Sequence, residues 1–165
     1  MKYYDTNIEN FKIRETRKED VGLILSLIKE IADYENMVED VIATEESLTK
    51  SIFIDKKAEV IIGELNGEPI GYALYFFNYS TFIGRAGLYL EDIYIKPEFR
   101  AGGIGKEIFK LLGKIAKENG CKRMEWTCLN WNKSSIKFYE SMGAIPMDEW
   151  TVHRLQENEI NKLAQ

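Results

Sequence analysis

Residues 88–119, LYLEDIYIKPEFRAGGIGKEIFKLLGKIAKEN, decide how this chain folds. Leu88 to Ile95 reads as a strand, Pro97 marks a turn, and Arg100-Ala101-Gly102-Gly103-Ile104-Gly105 forms a cationic glycine loop. Apolar residues at Ile104, Ile108, Leu111, Leu112 and Ile115 then recur at the spacing that lays one helix face on a sheet. The first turn of a helix leaves backbone N–H groups unpaired and carries partial positive charge, so a glycine loop feeding it suits phosphate oxygens. Gly102, Gly103 and Gly105 remove side chains that would block close approach, and Arg100 and Lys106 add charge. Two common phosphate motifs do not fit. Lys106 is followed by Glu107, which breaks the nucleoside-triphosphate loop, and Ile108 stands where a dinucleotide fingerprint needs its third glycine. What remains is Arg-x-x-Gly-x-Gly between a strand and a helix.

Working outward, 165 residues are the size of one domain, and a single domain over residues 1–165 is expected. With 45% hydrophobic residues, 30% charged residues and three prolines, the composition argues against disorder and for one packed core. A net charge of -5 disfavours a general nucleic-acid binder and is compatible with cationic substrates. Neither the start, MKYYDTNIEN, nor any later stretch has the apolar run of a signal peptide or membrane span, so the expectation is a cytoplasmic protein with no membrane partner. Cys121, Cys128 and the single His153 make neither a disulfide framework nor a metal set, and no metal is expected. Cys128 reads as a packing residue, because no histidine stands near it in sequence to activate it.

Upstream, a short strand at Phe11 to Arg14 runs into Thr16-Arg17-Lys18-Glu19, a capping-box spacing. The helix after it carries Val21, Ile24, Leu27, Ile28, Ile31 and Ala32 on one face and fades at Tyr34 to Asn36. A second short helix starts near Thr44 and carries Leu48 and Ile52. Ala58 to Leu65, the turn pair Asn66-Gly67, and Glu68 to Tyr79 read as a hairpin that leads on into the strand at Leu88. Downstream, Arg123 to Leu129 reads as a strand parallel to Leu88–Ile95, because a helix connects the two. A helix from Asn132 to Met142 stops at Gly143, Trp150 to Leu155 reads as a last strand, and Glu157 to Ala164 as a charged helix. This order predicts an α+β fold, a mixed, mostly antiparallel central sheet flanked by helices.

The glycine loop, the element order and three further segments together resemble the GCN5-related N-acetyltransferases along essentially the whole chain. The further segments are Leu27 to Glu35, Tyr89-Leu90-Glu91-Asp92, and Trp131-Asn132 through Ser135 to Phe138-Tyr139 with Gly143-Ala144. The likeness is nearest to the diamine (spermidine/spermine) and thialysine branch. It implies the acyl-CoA N-acyltransferase fold and acetyl-CoA as co-substrate. It also implies that backbone groups of Ile93, Tyr94 and Ile95 hold the pantetheine arm, and that N–H groups of Ala101, Gly102, Gly103, Ile104, Gly105 and Lys106, beside Arg100, hold the diphosphate. Asn132 and Ser135 would touch the cofactor, with helix capping as their other role. Many relatives are homodimers, so a homodimer is expected.

Acetyl transfer to an amine needs a neutral nitrogen, yet a primary amine with a pKa of about 10 is protonated at neutral pH. Ideal alternation puts Glu91 on the strand face of Ile93 and Ile95, which makes it the candidate base, and turns Asp92 the other way, as a structural or substrate-side carboxylate. The resemblance places Tyr139 at the family's proton-donating tyrosine. It also puts substrate contacts on Tyr34, Glu35, Glu91, Trp126 and Glu149, a set of carboxylates and aromatics suited to a cationic amine. One departure matters. Polyamine enzymes carry an aspartate and a tryptophan where this chain has Ser80 and Phe82, which weakens the case for a long polyamine within an acceptor class of diamine, polyamine or lysine-like amino acid such as thialysine. Two other readings stay open, a non-catalytic acyl-CoA-binding module and an enzyme acting on a protein N-terminus or lysine.

Overall fold

A computed structural model describes residues 1–165 and divides them into two compact units, Met1–Thr127 and Cys128–Gln165. The first holds six strands, β1 (Tyr3–Asp5), β2 (Phe11–Glu15), β3 (Glu59–Leu65), β4 (Glu68–Ser80), β5 (Arg85–Ile95) and β6 (Met124–Glu125). They lie side by side in sequence order, antiparallel from β1 to β5, with β6 parallel to β5. Three helices accompany them: α1 (Val21–Tyr34), α2 (Glu45–Leu48) running on into a π-helical turn at Thr49–Ile54, and α3 (Ile104–Glu118). The α+β class read from the sequence is the one observed.

Local chemistry explains most of the boundaries. Asn66 and Gly67 both have positive φ, 53° and 80°, the conformation a two-residue hairpin needs. Asn36 in the left-handed region ends α1, with Met37 N–H donating to Ala32 O at 2.7 Å and Asn36 N–H to Asp33 O at 3.0 Å. Thr44 caps α2 by accepting the Ser47 N–H at 3.1 Å.

The sheet presents two apolar faces. Val60, Ile62, Tyr72 and Tyr94 pack with Ile24 and Leu27 of α1 and with Leu48 and Ile52. Their strand neighbours Ile13, Ile61, Ala73, Leu88 and Leu90 are buried on the opposite face, the side left for the buried stripe Ile104, Ile108, Leu111 and Leu112 of α3. Between β2 and α1 sits a buried charge cluster. The Arg14 guanidinium donates to both oxygens of Asp20, at 2.8 and 2.9 Å, and through Nε to Glu64 at 2.5 Å. Burial pushes the Asp20 pKa up, but the hydrogen bonds from Arg14 and from the Arg17 N–H, at 2.9 Å, outweigh it and hold the carboxyl below its ordinary value.

Four expectations need correction. The entry to α1 is made by a 3-10 turn at Lys18–Asp20 with Asp20 reaching back to Arg17, while the Thr16 hydroxyl donates across the sheet to Val60 O at 3.1 Å. A further strand, β1, precedes β2, and its three residues are too few to show alternation in sequence. The parallel strand expected over Arg123 to Leu129 shrinks to Met124–Glu125, since beyond it the Trp126 ring packs edge-on against Phe109 of α3, 5.0 Å between centroids. Trp150 to Leu155 is not a strand. Its alternating Trp150 and Val152 lie exposed, and without a neighbouring strand to hydrogen-bond, the pattern alone makes no ladder.

The second unit contains α4 (Lys133–Ser141) and α5 (Glu157–Leu163). Asn132 caps α4 by accepting the Ser135 N–H at 3.3 Å. Gly143, at φ 88°, ends it as the sequence indicated, with Ala144 N–H donating to Tyr139 O at 3.1 Å.

Asp20→Asn should cost about 3 kcal/mol in chemical denaturation at neutral pH, because it removes one of the two carboxylates that neutralise a buried guanidinium. The Asp20 pKa is lowered on folding, so its contribution is present above the ordinary carboxylate range and is lost as pH falls through the folded pKa. The gap between wild type and variant should therefore close in acid.

Candidate active site

The geometry around Glu91 comes from a slip in one ladder. Asp92 pairs with Leu74 of β4, but Leu90 pairs with Tyr75, so Glu91 is an extra residue with no partner opposite it. This bulge interrupts the alternation. Below it Leu88 and Leu90 face α3; above it Asp92 and Tyr94 face α1. Glu91 itself is exposed at the bulge, so it does not simply continue the face of Ile93 and Ile95 as an unbroken strand would require. Asp92 does turn to the face opposite Ile93.

What Asp92 meets there was not legible in the sequence. The fully buried Tyr72 donates its hydroxyl to Asp92 Oδ2 at 3.0 Å. Burial raises the Asp92 pKa, and the hydrogen bond from Tyr72 offsets only part of that. Glu35, at the C-terminal cap of α1, is raised too, by burial first and then by the negative charge of Asp92. Two carboxylates from different elements thus repel one another in a partly dry place, an arrangement that a cation relieves. The one clue to Tyr72 was a tyrosine inside an apolar strand, since a buried phenol needs a polar partner.

The glycine loop lies at the far end of β5. Ala101 and Gly103 take left-handed conformations, φ 65° and 82°, and Gly103 caps α3. Glu107 N–H makes a bond to Gly103 O at 3.2 Å, so the N–H groups of Ile104, Gly105 and Lys106 precede the helical ladder and are open at its start. Gly102, Gly103 and Lys106 are exposed, while buried Ile104 anchors the turn. Open N–H groups, a helix start and a lysine fit a diphosphate. Along β5 the ladder with β6 comprises only Leu88–Met124 and Tyr89–Glu125. From Leu90 to Ile95 that edge is left without a strand, which fits an arm with amides of its own.

Arg100 is placed differently from its loop neighbours. Its Nε donates to Ile95 O at 2.8 Å, and its guanidinium lies over the rings of Tyr34, 4.4 Å, and Tyr94, 5.5 Å. It is therefore directed at the end of α1 that carries Glu35, and it occupies the Ile95 carbonyl. Tyr34, Glu35, Asp92 and Arg100 are brought together; Trp126 packs on Phe109. In the second unit, Tyr139 lies on α4 with its ring 5.7 Å from that of Phe138, Asn132 and Ser135 form the cap, and Glu149 is exposed in a turn.

Comparison with known proteins agrees with this fold. Residues 24–144 match the model of the acetyltransferase (GNAT) family. The chain is 38% identical to the thialysine N-epsilon-acetyltransferase of Bos taurus, covering 92% of this chain and 96% of that one. It is 33% identical to the enzyme of the same name from Caenorhabditis elegans, over 95% and 99%. Among solved structures, an integron cassette protein from the mobile metagenome of V. cholerae superposes with a TM-score of 0.78 at 27% identity, covering 96% of this chain and 99% of that one. With the sheet, the bulge and the open helix start in place, the chain belongs to the GNAT acetyltransferase family.

Asp92→Asn keeps an acceptor for Tyr72 and removes the repulsion with Glu35. Because the Asp92 pKa is raised on folding, its ionisation destabilises the fold once pH exceeds the ordinary carboxylate range. The variant should melt higher than wild type at pH 7 and equal to it in acid, as read by calorimetry against pH.

Proposed function

We propose that this protein transfers an acetyl group from acetyl-CoA to a primary amine of a small cationic substrate, foremost the side-chain amine of a lysine-like amino acid such as thialysine. The observation that carries the reading is the Glu35–Asp92 carboxylate pair, held by Tyr72 and joined to the glycine loop through Arg100 and Tyr34. A site with two mutually repelling, partly buried carboxylates selects a cation, and the neighbouring helix start selects an anion such as a diphosphate. The names of the relatives support thialysine, and Ser80 and Phe82 support a short substrate over a long polyamine.

In this reading Ile104, Gly105 and Lys106, with Ala101 to Gly103 beside them, hold the diphosphate, and the free edge of β5 at Ile93 and Tyr94 aligns the arm. Acetyl-CoA supplies the activated acyl group. Arg100 positions Tyr34 and the end of α1 instead of binding phosphate. Asp92 and Glu35 hold the cationic end of the amine. Glu91, solvent-exposed at the bulge, accepts a proton from the attacking nitrogen directly or through water, and the Tyr139 phenol returns a proton to the leaving thiolate. Asn132 and Ser135 order the start of the helix that carries Tyr139. A cytoplasmic homodimer completes the proposal, with no nucleic-acid or membrane partner.

Thiol release from acetyl-CoA, measured across thialysine, lysine, diamines and polyamines, tests the substrate class. Thialysine should give the highest kcat/KM, and a panel with no amine-dependent thiol release would overturn the reading. Tyr139→Phe should lower kcat about a hundredfold with little change in acetyl-CoA affinity. Glu91→Gln should depress the rate most at low pH, where the amine is most fully protonated.

A further inference from the structure

The first turn of α3 carries an acid just where a diphosphate seat tolerates one least. Glu107 follows Ile104, Gly105 and Lys106, whose N–H groups are open, and its own N–H is the first to enter the helical ladder, on Gly103 O at 3.2 Å. A glutamate in a first turn is drawn to the same partial positive charge that holds a phosphate. Two anions then compete for one helix start. Under local forces alone the carboxylate would serve the helix itself and repel an incoming diphosphate.

The structure turns this carboxylate elsewhere. Glu107 is buried, its Oε2 accepts the backbone N–H of Asn7 at 3.2 Å from 100 positions earlier in the chain, and its Oε1 accepts from the Lys110 ammonium. Both oxygens are therefore engaged away from the open N–H groups. The hydrogen bond from Lys110 is the foremost reason that the Glu107 pKa lies below its ordinary value, with the Asn7 N–H and the charge of Lys106 acting in the same direction. Glu107 is thus an anion at neutral pH, and Lys110 is its counter-charge.

Asn7 reaches Glu107 because the turn between β1 and β2 is firmly built. The Thr6 hydroxyl donates to Phe11 O at 2.7 Å and accepts the Ile8 N–H at 3.2 Å, and the Phe11 N–H closes the turn on Ile8 O at 3.1 Å. Ile8 Cδ1 lies 3.8 Å from where a Cβ at Gly103 would stand, so the turn backs the glycine loop as well as the helix. We propose that Lys110 is a positioning residue for the coenzyme: with the Asn7 N–H it holds the Glu107 carboxylate off the start of α3 and cancels its charge, which keeps the N–H groups of Ile104, Gly105 and Lys106 free for the diphosphate. The inference rests on the acetyl-CoA reading of that loop and adds to it a residue that acts only through another.

Calorimetric titration of the full chain with acetyl-CoA at low ionic strength tests this. Lys110→Met keeps most of the apolar stem of an exposed side chain, so the circular dichroism spectrum and Tm should not change. Its Kd for acetyl-CoA should rise about fivefold, and the difference from wild type should shrink as salt is added. Adding Glu107→Gln, which keeps an acceptor for the Asn7 N–H but carries no charge, should bring the Kd back to within about twofold of wild type. An unchanged Kd in Lys110→Met would overturn the proposal. So would a loss that Glu107→Gln does not restore, since Lys110 would then be touching the coenzyme itself or merely supporting the helix. Failure of the acetyl-CoA reading looks different: the wild type itself would show no binding, and this inference would fall with it.

Discussion

One extra residue in β5 decides which side chains meet around Asp92. Where Leu90 pairs with Tyr75 and Asp92 with Leu74, Glu91 is squeezed out of the ladder, and the strand changes which side chains it sends to which helix. Without that slip Asp92 and Tyr94 would face α3, and the hydrogen bond from Tyr72 to Asp92 would not form. The bulge thereby divides a strand that begins as core, with Leu88 and Leu90 buried, from an upper half in which Asp92 meets Tyr72. The free edge above Tyr89 belongs to the same change, since the ladder with β6 stops just short of the bulge.

The two charge clusters on the α1 side behave oppositely, one buried and one partly buried. Around Arg14 each carboxylate meets a guanidinium donor, and the cluster fastens β2 and β3 to the entry of α1. Around Asp92 two carboxylates face one another, and the neutral Tyr72 phenol donates to one of them. The first arrangement is self-sufficient. The second carries a local cost, because burial raises both carboxyls and the charge of Asp92 raises Glu35 further. Arg100 connects this pair to the glycine loop while making no demand on the loop's open N–H groups, because its side chain is held by Ile95 O and two aromatic rings.

The sequence by itself determined the order and type of nearly all elements, the hairpin at Asn66-Gly67, the ends of α1 and α4, and the open helix start after Gly103. These are local properties: φ signs that asparagine and glycine tolerate, apolar spacing along one helix, N–H groups left over at a terminus. It determined the family as well, because Arg100 to Gly105 and the segments from Leu27 and Trp131 lie in fixed order along the chain. Only the tertiary structure decided which residues meet. The ladder slip at Glu91 depends on how β4 and β5 pair, and no single strand records that; Tyr72 comes to Asp92 from 20 positions away. Trp150 to Leu155 shows the converse, a strand-like alternation that stays unpaired because a strand is a relation between two segments and not a property of one.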